Sequence, residues 1–417
     1  MQVPRSVASS LRLVVLLVAC RLSLVAAVTA EAAQVEDHDG LPVVYLEGSP
    51  YELGRQHGHL LRQRVRASVT QVLSYFRRYL KIPLVRTWVA NWWLDQPWRQ
   101  ANPFIPPQYI EELRGLADGS GVSLRELARL HAVPDRTYAC SSFAAWGRAT
   151  QHGRLIHVRN LDWNIDAGIQ QHPVIFVVRP AGKSAFVNVG WAGFIGVLTG
   201  INDRQLSIGQ IGAETLDVTF RGEPMVFLMR RVLEEAPALE DAATLIVTAK
   251  RTIGANYILA DARRRQALAI ETTHHRAQVF RSNDPAERAV GYARTVPDAV
   301  FRADTAMDAA IRDRQVASHG DPSRPGLEDP VGSSAYDVRY LGQAAGLLSH
   351  YGQLDGRRAQ HIAAAVAPNS NIQSVVFTWP DLWVANASGR TPAAQTSYHH
   401  FSLPRLFQRL RRSPEAP

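Results

Sequence analysis

Cysteine is almost absent from this sequence: Cys20 and Cys140 are the only two in 417 residues. If a leader containing Cys20 is removed or lipidated, no intrachain disulfide can form. Lysine is nearly as scarce. Lys81, Lys183 and Lys250 are the whole set, and none stands in an S-x-x-K arrangement, which removes a Ser/Lys dyad. G-x-S-x-G does not occur, so a serine hydrolase of the nucleophile-elbow type is excluded. There is no P-loop and no G-x-G-x-x-G; "GWAGFIG" has the wrong spacing. The pairs His274-His275 and His399-His400 lack a third ligand at a metal-binding spacing, so neither a metal nor a cofactor is expected. No fixed-period repeat and no long low-complexity tract is found. Basic residues are scattered, without the aromatic interleaving of a nucleic-acid surface. After the leader, no apolar run of transmembrane length is free of charges or glycines, so no stable membrane span is expected.

What is present begins with that leader. "MQVPRSVASSLR" is basic and polar, "LVVLLVACRLSLVAAV" is apolar but broken by Arg21, and "TAEAA" offers small-residue cleavage sites. Residues 1–30 therefore read as a secretory signal peptide, implying export to the periplasm or the extracellular space. "LVAC" also resembles a bacterial lipoprotein signal, in which Cys20 would be lipidated; the apolar stretch continuing past Cys20 favours ordinary cleavage. The formal net charge is +9. Arg5, Arg12 and Arg21, a third of that excess, leave with the leader. Either route leaves Cys140 as the one ordinary thiol of an exported chain. A buried small hydrophobe is the plain explanation for such a residue; a reactive thiol is the other.

Four parts are expected: the leader 1–30, a mostly helical segment 31–139, a catalytic domain 140–402 and a basic C-terminal tail 403–417, "RLFQRLRR" reading as solvated. In the helical segment, the strand "PVVYLEG" precedes a helix starting near Tyr51. The Trp-rich "WVANWWLDQPW" reads as a packed hinge, and two helices flank "DGSG". From Cys140 the texture becomes β-like, with glycine-bearing turns. Strand pairs then alternate with helix pairs: "MVFLMRRVLEEAPALEDAATLIVTA" splits at Pro237, and residues 285–365 read as helical apart from the loop "GDPSRPGLEDPVG". The order ββ, αα, ββ, αα, ββ suggests an α+β fold of stacked sheets covered on both sides by helices.

The chemistry concentrates at Cys140. A thiolate is a good nucleophile when a base or a positive charge stands nearby. A histidine brought in by the fold would supply one base. Cutting the Ala139–Cys140 bond would supply another, because Cys140 would gain an α-amine with an ordinary pKa of about 7.7–8.0. Ala139 is small and suits close approach of the thiol to its carbonyl.

"CSSFAAWGRATQHGRLIHVRNLDW" resembles the nucleophile segment of N-terminal-nucleophile hydrolases. The nearest likeness is to the self-processing cysteine enzymes of the acyl-coenzyme A:6-aminopenicillanic acid acyltransferase family. Choloylglycine hydrolase, penicillin V acylase and acid ceramidase are more distant. "LEGSPYELGRQHGHLL", "ELRGLADGSGVS", "TGINDRQLSIGQIG", "GANYILADARRRQALAIE" and "SVVFTWPDLWVANASG" are similar to further family blocks, in order. The resemblance implies a four-layer αββα sandwich with autocleavage between Ala139 and Cys140. It implies Cys140 as nucleophile, Arg159 beside the thiolate and Asp162 holding the α-ammonium. Asn256 would donate its side-chain amide to the oxyanion, Asn202 would mark the second oxyanion position, and Arg339 would be the family's late arginine. The substrate would be a small N-acyl amide with a linear, non-peptide C–N bond, the acyl donor in a transferase being a group such as a thioester. "SND" at Ser282–Asp284 stands where many relatives carry Asn-His, so the acyl chain and amine do not transfer from the family. Two alternatives remain at this point: a non-catalytic envelope ligand-binding protein on the same scaffold, and a Cys-His hydrolase without autocleavage.

Overall fold

The computed structural model describes residues 34–79, 86–134, 139–315 and 338–411. The leader, Cys20 and the loop "GDPSRPGLEDPVG" lie outside the described residues. The chain enters as a hairpin, β1 (Gln34–His38) and β2 (Leu41–Gly48), turned by Asp39 and Gly40, both at positive φ. Ser49 then caps α1 (Pro50–Leu60): its hydroxyl accepts from the Glu52 N–H, the Glu52 carboxylate accepts from the Ser49 N–H, and Pro50 opens the first turn. Four more helices follow: α2 (Arg62–Tyr79), α3 (Arg86–Ala101), α4 (Pro107–Ser120) and α5 (Leu124–Ala132). The Trp-rich stretch is no hinge but part of the continuous α3. Trp93 stacks on Phe76 and Trp98 packs edge-on against Phe227. That packing outweighs the one backbone hydrogen bond Pro97 cannot donate.

Beyond α5 come β3 (Ala139–Gly147), β4 (Gly153–Asp162), β5 (Pro173–Pro180), β6 (Phe186–Trp191), β7 (Thr199–Asn202) and β8 (Leu206–Gly212). The helix pair α6 (Met225–Glu235) and α7 (Leu239–Thr248) precedes β9 (Ala255–Asp261), β10 (Gln266–Thr272) and β11 (Ala277–Phe280). Residues 285–365 depart from the helical expectation. Ala299–Arg302 is a strand, β12, paired with β3; at four residues it is too short to show a period in the sequence. A short helix α8 (Ala309–Arg312) comes next, then α9 (Val338–Ser349) and α10 (Gly356–Val366). The strands β13 (Asn371–Thr378), β14 (Asp381–Asn386) and β15 (His399–Ser402) and the helix α11 (Leu403–Arg411) complete the fold.

The strands form two sheets. One runs β1-β2-β5-β6-β7-β8-β9-β10-β11, the other β12-β3-β4-β13-β14-β15. Neighbours are antiparallel except β2 and β5, which are parallel. The sheets stack through apolar side chains such as Ile175, Val187, Ile201, Val375 and Phe377. The helices α6 and α7 cover the outer face of the larger sheet, and α9 and α10 that of the smaller. The architecture is therefore the expected α+β, four-layer αββα sandwich. The "solvated tail" is corrected as far as Arg411. Leu403, Leu406, Phe407 and Leu410 of α11 are buried against the open end of the sandwich, while Arg405 and Arg409 of "RLFQRLRR" stay on its outer side.

The N-terminal segment is welded to this sandwich. α1 and α4 meet through Gly54, Gly58, Gly115 and Gly119; a Cβ on Gly54 would stand 1.8 Å from the Glu112 carbonyl oxygen. Glu112 of α4 forms two hydrogen bonds, of 2.8 and 2.6 Å, to Arg230 of α6. Arg230 also pairs with Glu234 at 2.7 Å, and Tyr109 donates to Glu234 at 3.0 Å. A buried guanidinium shared by two carboxylates is tolerable only because its donors are used.

Candidate active site

Cys140 lies on β3 and is wholly buried. The antiparallel register sets Cys140 opposite Leu161 and Ser142 opposite Arg159 on β4, so Arg159 is the diagonal neighbour of Cys140 on the same sheet face. Its guanidinium spans that diagonal: Nη2 lies 3.2 Å from the Cys140 Sγ, and Nε donates to the Gln210 carbonyl at 3.1 Å. Gly209 of β8 leaves the room. A Cβ there would stand 2.9 Å from the Arg159 Cγ and 3.2 Å from its Cβ. The backbone N–H groups of Asp162 and Gly212 also act on the sulfur in favour of its charged form. Burial pushes the thiol up and the Asp162 charge adds to it; the Arg159 charge and the two N–H groups pull the other way without overcoming burial.

Asp162 ends β4, and its carboxylate is fully engaged. Oδ2 accepts from Arg339 Nη1 at 3.0 Å and Oδ1 from the Asn371 side chain at 2.9 Å. Burial pushes Asp162 up, against Arg339 and Asn371. Its side chain does not hold the Cys140 nitrogen. That N–H donates to Asp304 Oδ1 at 2.9 Å, and Arg339 bridges the two carboxylates, its Nη2 pairing with Asp304.

Asn256 is one residue from Ala255, which pairs with Gly212 in the β8–β9 register, so it stands at the sulfur's edge of the larger sheet. Its amide N–H donates to the Ala303 carbonyl at 2.9 Å, which fixes the connection carrying Asp304. Asn202 is not brought to the site. It ends β7 beside Leu206, six residues along β8 from Gly212, or about 20 Å at strand rise. Its Oδ1 accepts from the Arg204 and Leu206 N–H groups, and its amide donates to the Leu233 carbonyl. It is a turn asparagine, and the residue of this block whose N–H acts on the Cys140 sulfur is Gly212. Ser282–Asp284 form a turn: Ser282 accepts from the Ala299 N–H, Asn283 has φ 59°, and Asp284 caps the following 3-10 turn.

Residues unread in the sequence complete the site: Asp304, Asn371, Gly209 and Gly212. Glycines closing "LSIGQIG" were the available signal for the last two. No histidine hydrogen-bonds Cys140 among the described residues. His157, four residues before Leu161, is held by Ser142 and Ser207, and burial pushes it down to about 3. Among the described residues there is no cluster of three or more His, Cys, Asp or Glu that could hold a metal. Beside Leu161, an apolar pocket is lined by Leu130, Val133, Trp163, Phe194, Leu198 and Ile372. Leu130 and Val133 come from the segment ahead of Cys140.

Residues 149–290 match the model of the acyl-coenzyme A:6-aminopenicillanic acid acyl-transferase family, the family whose motifs the sequence resembles. Among individual proteins, the chain is similar to Protein dcd1B of Dictyostelium discoideum, 27% identical over 282 residues that cover 63% of this chain and 56% of that protein. It is 27% identical to the acid ceramidase of Rattus norvegicus, over 37% of this chain and 45% of that one. The chain thus spans about half the length of these curated relatives. A solved Caenorhabditis elegans ortholog of N-acylethanolamine-hydrolyzing acid amidase superposes with a TM-score of 0.43 at 17% identity, covering 64% of this chain and all of that one.

Proposed function

We propose that this chain is an exported, self-processing cysteine amidohydrolase or acyltransferase acting on a linear N-acyl amide. The observation that carries the reading is the Arg159 guanidinium at 3.2 Å from the sulfur of Cys140, the one cysteine among the described residues and wholly buried. Arg159 and the N–H groups offset part of the burial that raises the thiol, so its attack needs a base, and the adjacent space suits an oxyanion. In the whole chain the thiol adds to the Ala139 carbonyl, and the Cys140 nitrogen departs as a free amine. In the processed enzyme that amine takes the thiol proton, the sulfur attacks the substrate carbonyl, and the amine component leaves from an acyl-enzyme. Water or an acceptor amine then releases the acyl group. The apolar pocket beside Leu161 suits a hydrocarbon acyl chain.

The test is intact-mass analysis of purified protein, with a panel of N-acyl amides and acyl thioesters. Wild type is expected as two fragments parting before Cys140, with alkyl-chain amides turned over. Cys140→Ala stays one chain and inactive. An active wild type that remains whole rules out self-processing, and activity surviving in Cys140→Ala rules out the nucleophile.

A further inference from the structure

The Cys140 nitrogen has one side-chain partner, Asp304, and the segment bearing it is fixed almost atom by atom. Gln343 donates to the Arg302 carbonyl at 3.0 Å, Asn256 to that of Ala303 at 2.9 Å, and Gln315 to that of Asp304 at 2.8 Å. Gln315 also accepts from the Ala306 N–H at 2.8 Å. Glu271, buried and paired with Arg302, accepts from the Met307 and Asp308 N–H groups at 2.8 Å. Four side chains from β9, β10, α9 and the loop after α8 thus hold a seven-residue stretch whose one carboxylate at the nucleophile is Asp304.

We infer that Asp304, and not Asp162, is the anchor of the Cys140 α-nitrogen, holding its amide N–H before self-cleavage and its ammonium afterwards. This rests on the proposed self-cleavage. In that step a C–S bond forms at Ala139, the C–N bond breaks and the thiol proton ends on the departing nitrogen. Water then cleaves the thioester, giving the Ala139 carboxylate and restoring the thiol. Asp304 keeps the nitrogen in place through both steps, because its Oδ1 is already at 2.9 Å in the uncut chain. Asp162 acts at one remove, through Arg339. The charged groups around the nitrogen are Asp304 from the β12–α8 connection, Arg339 from α9, and Asp162 and Arg159 from β4. The larger sheet presents neutral Asn256 and Gly212.

The experiment follows wild type, Asp304→Asn, Asp304→Glu and Asp162→Asn by intact mass for cleavage rate. On processed protein it adds the pH profile of kcat/KM with one N-acyl amide. A nearby carboxylate favours the ammonium, so its loss lowers the amine pKa. Asp304→Asn is expected to move the acid-side limb down by about one pH unit and to slow cleavage roughly tenfold or more. Asp162→Asn lowers the rate and leaves the limb in place. Coincident limbs for wild type and Asp304→Asn, or a shift seen only in Asp162→Asn, overturn the assignment. If Asp304→Asn fails to melt cooperatively, Asp304→Glu decides: about tenfold slower cleavage with an unmoved limb supports the anchor, and a wild-type cleavage rate overturns it. A wild type that never cleaves defeats the self-processing reading itself, whereas a wild type that cleaves beside an unshifted Asp304→Asn defeats this inference alone.

Discussion

Arg159 carries a full charge into a region with no exposure, and the surroundings are shaped for it. It needs the Gln210 carbonyl for Nε, the sulfur for Nη2, and the missing side chain at Gly209 for its methylenes. Replacing it with glutamine keeps a polar group and removes the charge. Arg159→Gln is expected to lower kcat/KM by ~100-fold or more, and to shift the pH dependence of Cys140 alkylation upward, since the thiolate loses its cation. Alkylation rates measured across pH check the second claim independently of turnover. Gly209→Ala is a more selective probe. Its methyl group collides with the Arg159 side chain, so activity should fall sharply at a stability cost of about 1–3 kcal/mol, read by urea unfolding. A Gly209→Ala enzyme with full activity would show that Arg159 does not need its present path.

Among the elements, the junction of α1, α4 and α6 sets how the segment ahead of Cys140 stays with the sandwich. α1 and α4 approach backbone to backbone at four glycines, and Glu112 on α4 reaches Arg230 from there. Gly54→Ala drives its methyl into the Glu112 carbonyl and must part the helices. It is expected to cost about 3 kcal/mol or more, seen as a lower urea midpoint. Arg230→Met leaves Glu112 and Glu234 buried without their cation, and should cost about 3–5 kcal/mol. The β2–β5 pairing spans the proposed cleavage point as well. Processed wild type should therefore remain one particle by native mass spectrometry, and Arg230→Met should release fragments at lower denaturant.

For the whole molecule, buried histidines tie stability to pH: His57 and His131 do so in the same way as His157. His57 accepts from the Gly193 N–H at 3.0 Å and His131 from the Ile195 N–H at 2.9 Å, both in the loop that supplies Phe194 to the apolar pocket. Burial, with Arg230 nearby, pushes His57 down to about 3 and His131 to about 4. The unfolded chain protonates both near the ordinary 6.5, so it binds more protons than the folded one below that pH. Their contribution is complete above 6.5 and is lost as pH falls toward 4, at about 1.4 kcal/mol per pH unit for each histidine. Urea midpoints between pH 7 and 4 should fall accordingly. His57→Gln, which keeps an acceptor and cannot protonate, should show a shallower fall; an unchanged slope would count against His57 as a source.

How much of this was legible depends on sequence distance. Cys140, Arg159 and Asp162 could be read because one hairpin, β3–β4, contains all three, and antiparallel register turns spacing into proximity. The start of α1 near Tyr51 could be read for the same reason: helix starts are local. The Trp-rich helix was misread because Pro97 is a local signal that tertiary packing overrode. Asn202 was misassigned because residues on neighbouring strands can share a block and stand at opposite ends of a sheet. Asp304, 164 residues from Cys140, carried no motif, and Gly209 and Gly212 act through an absent side chain and a backbone N–H. By itself the sequence determined the alternation of strand and helix pairs and the scarcity of cysteine that singled out Cys140, since these follow from local pattern and composition; Arg159 was read through the resemblance of the segment that follows Cys140. Only the tertiary structure decided which carboxylate takes the Cys140 nitrogen, which N–H groups face its sulfur and what lines the pocket. Those contacts join separate elements and exist only once both sheets are stacked.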